Sequence, residues 1–203
     1  GIAGAGMSAL AELFARRGVR VSGCDTNPAA ARADLGRLGI EVMDGHSPTH
    51  IDGVRAVVFT SAMGRDHPEL VAAREAGIPV IRRAEALGAA VSSGDVVGIA
   101  GTHGKTTTTV MTTNALRSAG LDPTGIAGGR VSEWDGNMSF GSDKLFVVEA
   151  DEYDRSFLAL DPAIAVVTNV EADHLDIYAD LADIRATFSQ YLNGARAIVL
   201  CAA

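Results

Sequence analysis

The sequence predicts an α/β protein with two consecutive units of parallel sheet. Short runs rich in Val and Ile alternate with segments of helical period, which is typical of buried parallel strands joined by helices. In the first half this pattern predicts a doubly wound parallel sheet, with strands at 19–25, 54–62 and 78–83 and helices at 7–17, 28–38, 68–76 and 84–91. A polar SSGD segment at 92–95 then interrupts the pattern, so we expect a domain boundary there.

The alternation restarts after this segment and predicts a second unit. Its expected strands are 96–102, 144–151 and 162–170, and its expected helices are 105–119 and 181–192. The two predicted domains are therefore 1–92 and 95–203. The chain begins inside a glycine-rich turn and ends in an apolar run typical of a strand. We therefore expect the first domain to lack its first strand and the second to be truncated at its C-terminal end.

The charge of the chain argues against a nucleic-acid partner. The 203 residues carry 17 Lys and Arg against 25 Asp and Glu, and only Lys105 and Lys144 are lysines. Duplex binding needs cations clustered along the phosphates. Membrane insertion is not expected either, because no apolar run reaches the roughly 18–20 residues that cross a bilayer. Cys24 and Cys201 are expected to be buried, reduced thiols of a cytoplasmic protein.

A glycine-rich turn opens the chain and leads into a helix. In GIAGAGMSA (1–9) the register Gly4-x-Gly6-x-x-Ala9 is that of a turn whose amides approach a diphosphate at a helix N-terminus. Asp25 ends the next strand, near the spacing of about 20 residues at which an acid binds a ribose. These features predict a nucleotide-diphosphate site, for which an NAD(P)-dependent oxidoreductase is one candidate function. The alternative is a purely structural strand-to-helix turn.

A second glycine-rich loop, GIAGTHGKTTTT (98–109), lies between a predicted strand and a predicted helix. Its spacing lets amides wrap a phosphate, places the Lys105 ammonium on the β- and γ-phosphates and lets the Thr106 hydroxyl reach Mg²⁺. The loop departs from the strict pattern, which has glycine where Ile99 stands. We predict a phosphate-binding loop in which His103 shapes the backbone; a structural turn with a solvated lysine is the alternative.

Polar residues follow two further predicted strands, in VVEADEYD (147–154) and TNVEADHLD (168–176). The carboxyl ends of parallel strands meet at one edge of a sheet, where ligands collect. Carboxylate and amide oxygens there suit Mg²⁺, whereas a histidine alone suggests zinc or acid–base chemistry. The alternative is a solvated acidic loop. The residues predicted to lie near the phosphate loop are Glu149, Asp151, Asn169, Asp173 and His174.

Taken in order along the chain, GIAGAGMSA, GTHGKTT, VVEADEYD and TNVEADHLD resemble the Mur ligase family of peptidoglycan synthesis. The resemblance covers essentially all 203 residues. It implies a Rossmann-like UDP-binding domain followed by part of a P-loop ATPase-type domain. Family members also have a third domain, which supplies adenine contacts and much of the amino-acid site, and which the resemblance does not cover.

The resemblance also implies roles for individual residues. The diphosphate of UDP-N-acetylmuramate would lie on Gly4, Ala5, Gly6, Met7 and Ser8, with Asp25, His46 and Ser61 around the ribose and uracil and Arg130 facing the muramoyl group. The ATP phosphates would lie on Gly101, Thr102, His103, Gly104, Lys105, Thr106 and Thr107. Thr106 and Glu149 would hold one Mg²⁺ and His174 a second, and the catalytic set would be Lys105, Glu149 and His174.

The reaction implied is an ATP-dependent ligation of L-alanine to the carboxylate of UDP-N-acetylmuramate through an acyl phosphate. Some branches of the family use a carbamylated lysine after the DHLD segment, but no lysine follows Lys144, which favours the alanine-adding branch. The related branch that recycles a murein tripeptide shares these motifs and remains the nearest alternative. A non-catalytic UDP-sugar sensor is the alternative outside the enzymes.

Overall fold

The computed structural model of the chain describes residues 1–201, without the side chain of Ala30. It divides into two units, Gly1–Ala86 and Leu87 onward, and helix α4 (Arg83–Val91) crosses the division. The predicted α/β class is confirmed. No helix among the described residues is both long enough and apolar enough to cross a membrane.

The first unit pairs its strands two by two. Its strands are β1 (Ser22–Asp25), β2 (Glu41–Asp44), β3 (Val57–Phe59) and β4 (Val80–Arg82), and its helices are α1 (Ala5–Arg16), α2 (Ala29–Gly36) and α3 (Pro68–Glu75). β1 lies parallel to β2, and β3 lies parallel to β4. The structure therefore contains two short parallel pairs where the sequence predicts one doubly wound sheet. Strand β2 was not predicted, because EVMD carries too few apolar residues to show a period.

Apolar residues of α1, α2 and β2, with Ile2 and Ile40 from the adjoining loops, form the core that supports the first glycine-rich turn. Ile2, Ala11, Leu35, Ile40 and Val42 are buried together. The amide of Ile2 also donates to the carbonyl of Cys24 at 2.9 Å. The turn is therefore held against the end of β1 by both packing and a backbone hydrogen bond.

The second unit contains a six-stranded sheet in the order β10-β9-β5-β8-β6-β7. The strands are β5 (Asp95–Ala100), β6 (Thr124–Val131), β7 (Gly136–Ser139), β8 (Leu145–Glu149), β9 (Ile164–Val167) and β10 (Ala197–Leu200), and the helices are α5 (Lys105–Ser118) and α6 (Leu181–Leu192). All neighbours are parallel except β6 and β7, which are antiparallel. The β6–β7 pair was not predicted, because the glycines of TGIAGGRV weaken the strand pattern.

The register of this sheet determines where the polar strand ends meet. Ile99 in β5 lies opposite Glu149 in β8, and Ala100 lies opposite Val167 in β9. The segments that follow β5, β8 and β9 therefore leave the sheet at the same edge. The cysteine expectation is half wrong: Cys24 is buried, but Cys201 follows β10 and is exposed.

Candidate functional site

The loop between β5 and α5 has the geometry of an anion site. Gly101 and Gly104 have φ angles of +133° and +81°, which glycine adopts without steric cost. Helix α5 then begins at Lys105, and the amides of a first helical turn have no acceptor within the helix. These amides and the helix dipole give the loop a partial positive charge. The Lys105 Nζ folds back over the loop and donates to the Gly101 carbonyl at 2.8 Å.

The segment after β9 braces this loop. The Thr102 amide donates to the Asn169 carbonyl at 3.1 Å, and the His103 amide donates to Asn169 Oδ1 at 2.8 Å. The Thr168 hydroxyl donates to the His103 carbonyl at 2.6 Å. The His103 side chain is 67% exposed. The contacts that shape the loop therefore run through the backbone of His103 and leave its imidazole in solvent.

Thr106 and Glu149 lie in direct contact. The Thr106 hydroxyl donates to Glu149 Oε2 at 2.9 Å, and the Gly128 amide donates to the same oxygen at 2.7 Å. A hydroxyl beside a partly exposed carboxylate is a hard-oxygen donor set of the kind that Mg²⁺ accepts, with phosphates and waters completing its shell. These two residues therefore fit the predicted magnesium position. Gly128 begins the GGR segment, whose Arg130 is exposed and ion-paired with Asp135.

Glu152 lies at this edge of the sheet and was not among the predicted site residues. Its side chain is only 4% exposed, and Lys105 Nζ lies 2.8 Å from Oε2 and 2.9 Å from Oε1, with hydrogen-bond geometry to Oε1. His174 Nε2 lies 3.8 Å from Oε1. Glu152 therefore connects two of the predicted catalytic residues, Lys105 and His174. The sequence signal was present, since an acidic run follows β8, but the pattern did not show which carboxylate faces the lysine.

The remaining polar residues of this edge lie on its solvent side. His174 has a φ of +53°, and its ring packs edge-on against Tyr153 at a centroid distance of 5.2 Å. The exposed Asp151 accepts the amide of Tyr153, and Asp173 Oδ1 accepts the amide of His174. His174 therefore reaches the phosphate loop through Glu152, while Asp151 and Asp173 stabilise their own turns.

Replacing Tyr178 by phenylalanine is expected to destabilise the protein by about 0.5–1.5 kcal/mol, the net contribution of one intramolecular hydrogen bond, because the Glu152 carbonyl still accepts the Arg155 amide at 3.0 Å. The side chain is buried, and its hydroxyl donates to the Glu152 carbonyl at 2.6 Å. Burial raises the pKa of Tyr178 from 10.0 to about 12. The unfolded protein ionises first, so this contribution is present below pH 10 and is lost as the pH rises toward 12.

Urea unfolding of wild type and Tyr178→Phe across this pH range measures the effect. The difference in unfolding free energy should shrink above pH 10. Tyr153→Phe is the matched control, because Tyr153 is exposed, and it should change stability by no more than about 0.5 kcal/mol. A Tyr178→Phe deficit that stays constant from pH 9 to pH 12 would contradict the prediction.

The first glycine-rich turn is fixed by Asp25. The Ala3 amide donates to Asp25 Oδ2 at 3.0 Å, and the Asn27 amide donates to Oδ1 at 2.9 Å. Burial alone would raise the pKa of Asp25, but these amide hydrogen bonds and nearby positive charge outweigh it and hold the pKa below its usual value. Asp25 therefore stays ionised at the mouth of the turn, with each carboxylate oxygen accepting one amide.

The predicted residues Gly4, Ala5, Gly6, Met7 and Ser8 form the N-terminal end of α1. The amides of Met7 and Ser8 donate to the Gly4 carbonyl, and the Ser8 hydroxyl donates to the Ala5 carbonyl. Gly6 adjoins a residue that the sequence analysis missed: a Cβ on Gly6 would lie 2.8 Å from the guanidinium of Arg83. The turn therefore combines helix amides with a neighbouring arginine, which suits a diphosphate.

His46 and Ser61, the other residues predicted around the nucleoside, lie in different surroundings. His46 follows β2 and points inward, with Nδ1 3.2 Å from Cys24 Sγ. Ser61 is exposed in the turn after β3. Arg130 belongs to the second unit, on β6. The structure thus groups the glycine-rich turn with Asp25, and the roles of His46, Ser61 and Arg130 stay predictions.

Comparison with known proteins identifies the family to which the chain belongs. Residues 1–94 match the family described as Mur ligase family, catalytic domain, and residues 99–201 match the Mur ligase middle domain. A UDP-N-acetylmuramate–L-alanine ligase of Salinispora arenicola is 47% identical over 94% of this chain and 37% of its own length. One of Rubrobacter xylanophilus is 43% identical over 100% of this chain and 46% of its own.

Two solved structures share the fold. The UDP-N-acetylmuramate–alanine ligase MurC of Thermotoga maritima superposes with a TM-score of 0.90 at 30% identity, covering 98% of this chain and 47% of that one. The UDP-N-acetylmuramate:L-alanyl-γ-D-glutamyl-meso-diaminopimelate ligase of Neisseria meningitides gives 0.84 at 33% identity, covering 96% and 66%. The chain spans less than half the length of the two curated relatives above. The match of the middle-domain family to half of the chain, together with these relatives, shows that the chain belongs to the Mur ligase family.

Proposed function

We propose that the whole protein is an ATP-dependent ligase that joins L-alanine to the carboxylate of UDP-N-acetylmuramate in the cytoplasm. The observation that carries this proposal is the β5–α5 loop, where Lys105 Nζ folds over the loop and Thr106, in the first turn of α5, contacts Glu149. The names of the curated relatives at 43–47% identity support the choice of alanine. A nucleic-acid partner is not part of the proposal.

In this proposal the ATP phosphates lie on the loop from Gly101 to Thr107. The amides at the start of α5 and the Lys105 ammonium hold the phosphate oxygens, and Thr106 and Glu149 hold Mg²⁺. Bound Mg²⁺ would neutralise part of the phosphate charge while the carboxylate of UDP-N-acetylmuramate approaches the γ-phosphate of ATP, since both groups are anions. Lys105 would exchange its contacts with Glu152 and the loop carbonyls for contacts with phosphate oxygens, and His174 lies beside the carboxylate that it leaves.

The reaction divides into two transfers. The carboxylate oxygen of UDP-N-acetylmuramate bonds to the γ-phosphorus as the bond to ADP breaks, which gives an acyl phosphate. The amine of L-alanine then bonds to the acyl carbon, phosphate leaves, and the amine gives up a proton. The loop contributes mainly positioning and electrostatic stabilisation to the first transfer.

The UDP moiety would lie on the first unit, at the turn of Gly4 to Ser8. The α1 N-terminus, the ionised Asp25 and the Arg83 guanidinium near Gly6 support a diphosphate with a ribose beside it. The same turn is also typical of an NAD(P)-dependent oxidoreductase, but that function leaves the lysine loop of the second unit without a role. The names of the curated relatives, which include UDP-N-acetylmuramate and whose matches cover 94% and 100% of this chain, also favour the UDP-sugar.

Phosphate release by the full-length protein tests the function. We expect release from ATP that requires UDP-N-acetylmuramate and L-alanine together, with Mg²⁺ present. Acceptance of the murein tripeptide without acceptance of alanine would move the protein to the recycling branch. Binding of UDP-N-acetylmuramate without any phosphate release would indicate a sensor, and tight binding of NADH without UDP-sugar binding would overturn the proposal.

Replacing Glu149 by glutamine is expected to lower kcat of the full-length protein by at least about 10²-fold, the size typical of losing one electrostatic group at a reacting centre. The amide oxygen can still accept from Thr106 and Gly128, so the fold should be retained while the charge on the metal position is lost. Raising the Mg²⁺ concentration should restore part of the activity. Glu133→Gln is the matched control, because Glu133 is exposed and its carboxylate accepts from Asn114; unchanged kcat in Glu149→Gln would contradict the assignment.

A further inference from the structure

A cluster of metal-ligating side chains lies in the first unit, outside the residues assigned above to ATP. Cys24 Sγ, His46 Nδ1 and a carboxylate oxygen of Glu69 all lie within 4.8 Å of one another. Cys24 and Glu69 are buried, and the His46 side chain is 22% exposed. Three of the five histidines of the chain, His46, His50 and His67, surround Glu69.

We propose that Cys24, His46, Glu69 and His67 form a binding site for a zinc ion. The set combines one thiolate, two imidazoles and one carboxylate, which are the ligands that zinc takes in proteins. The proposal concerns a site separate from the magnesium position at Thr106 and Glu149. It gives His46 a role different from the one near the nucleoside that the family resemblance implies, and its test does not depend on ligase activity.

The distances between the ligand atoms agree with a tetrahedral zinc site. With zinc bonds of about 2.0–2.3 Å, tetrahedral ligand atoms lie roughly 3.4–3.6 Å apart. Cys24 Sγ lies 3.2 Å from His46 Nδ1 and 3.2 Å from Glu69 Oε2, and His46 Nδ1 lies 3.6 Å from that oxygen. An ion would therefore need shifts of only a few tenths of an ångström in the three side chains.

His67 is the proposed fourth ligand; it lies beside the group of three whose ligand atoms are within 4.8 Å of one another, and its ring must move toward an ion to bind it. Its Nδ1 is buried without a hydrogen-bond partner among the described residues and lies 3.9 Å from Glu69 Oε2. Its ring packs edge-on against His46 at a centroid distance of 4.6 Å. A buried nitrogen without a partner is costly unless something occupies it, and an ion between these residues would do so.

The two oxygens of Glu69 share Cys24 but otherwise have different partners, since Cys24 Sγ lies 3.1 Å from Oε1 and 3.2 Å from Oε2. Oε1 accepts the Ser47 amide at 3.1 Å and lies 2.7 Å from His50 Nδ1. Oε2 faces Cys24, His46 and His67. His50 is therefore a positioning residue, since a hydrogen bond to the far oxygen of a ligating carboxylate fixes its orientation.

The backbone brings these ligands from three places in the first unit. Cys24 lies in β1, His46 follows β2, and His67 and Glu69 lie at the start of α3. An ion would cross-link the β1–β2 pair to α3 and hold the strand end that carries Asp25. The alternative is a metal-free cluster in which Cys24 keeps its proton. The Cys24 thiol then donates to Glu69, and burial raises the pKa of this thiol to about 12.

Titration of the metal-free chain with Co²⁺ tests the proposal, because cobalt substitutes for zinc and reports a thiolate ligand by a charge-transfer band. We expect one equivalent of Co²⁺ to produce the band, Zn²⁺ to displace it, and Zn²⁺ to raise the thermal midpoint with increasing concentration. Cys24→Ser should abolish the band. Cys201→Ser is the matched control, because Cys201 is exposed, and it should keep the band unchanged.

Two further variants separate a ligand from a positioning residue. His50→Asn should keep the band but weaken Co²⁺ binding by about 10- to 100-fold, whereas His67→Asn should change the band itself. If Cys24→Ser fails to fold, the wild-type and Cys201→Ser titrations still decide the question. Absence of a band in wild type, or its loss in Cys201→Ser alone, would overturn the zinc site and leave a metal-free hydrogen-bonded cluster.

Discussion

Replacing Lys105 by alanine is expected to abolish ATP-dependent turnover of the full-length protein, with a loss of at least about 10²- to 10³-fold in kcat. Lys105 is the cation of the β5–α5 loop, and in the proposed function its ammonium group neutralises negative charge on the ATP phosphates. Binding of UDP-N-acetylmuramate, which we assign to the first unit, should be nearly unchanged in calorimetry. Lys144→Ala is the matched control: it removes the only other lysine, which is exposed, and should leave kcat unaltered.

The same substitution is expected to lower the free energy of unfolding. Lys105 is 14% exposed and Glu152 is 4% exposed, so the alanine variant leaves a buried carboxylate without its partner. Breaking one side of a buried ion pair costs about 3–5 kcal/mol, and the residual exposure of Lys105 favours the lower end. Adding Glu152→Gln removes the uncompensated charge, so the double variant should regain part of the unfolding free energy in urea while turnover stays absent.

Three results would contradict these expectations. Equal stability of wild type and Lys105→Ala would mean that the pair with Glu152 contributes nothing to the folded state. Loss of UDP-N-acetylmuramate binding together with turnover would mean that the two nucleotide sites are not separate. A double variant that is less stable than Lys105→Ala would show that Glu152 acts through contacts other than the lysine.

The parts of the fold that could be predicted from the sequence are those with strong local signals. Strands β5 and β8 are buried runs rich in Val and Ile, and α6 was predicted with its observed bounds of Leu181–Leu192. Strands β2 and β6 lack such a run, and their conformation depends on pairing with neighbouring strands. Periodicity cannot detect that kind of support.

The site shows the same limit. The acidic run after β8 was predicted to approach the phosphate loop, but the choice among its carboxylates depends on a turn in which Asp154 and Arg155 have positive φ. Glu152 lies just before that turn, and its side chain is directed toward Lys105. The grouping of Cys24 with Glu69, 45 residues away in sequence, likewise arises only from tertiary packing.

Replacing Gly101 by alanine is expected to disrupt the conformation of the phosphate loop, whereas Gly104→Ala should lower the free energy of unfolding only slightly. A Cβ on Gly101 would lie 2.1 Å from Thr168 Oγ1 and 3.0 Å from backbone atoms of Asn169, at a φ of +133°. Strained backbone costs about 1–3 kcal/mol, and overpacking typically adds about 1–3 kcal/mol. A Cβ on Gly104 would meet nothing within 4 Å, so only left-handed strain of about 1–2 kcal/mol applies.

Urea unfolding and calorimetry with ADP distinguish the two glycine variants. Gly101→Ala should lose both stability and ADP binding, because the Thr168 hydroxyl that it displaces also holds the His103 carbonyl. Adding Thr168→Ala removes the clashing oxygen and should recover part of the stability but not the binding, since the brace on the loop is then absent. Equal effects of Gly101→Ala and Gly104→Ala would mean that backbone conformation alone, and not the close approach of the segment after β9, makes glycine necessary at residue 101.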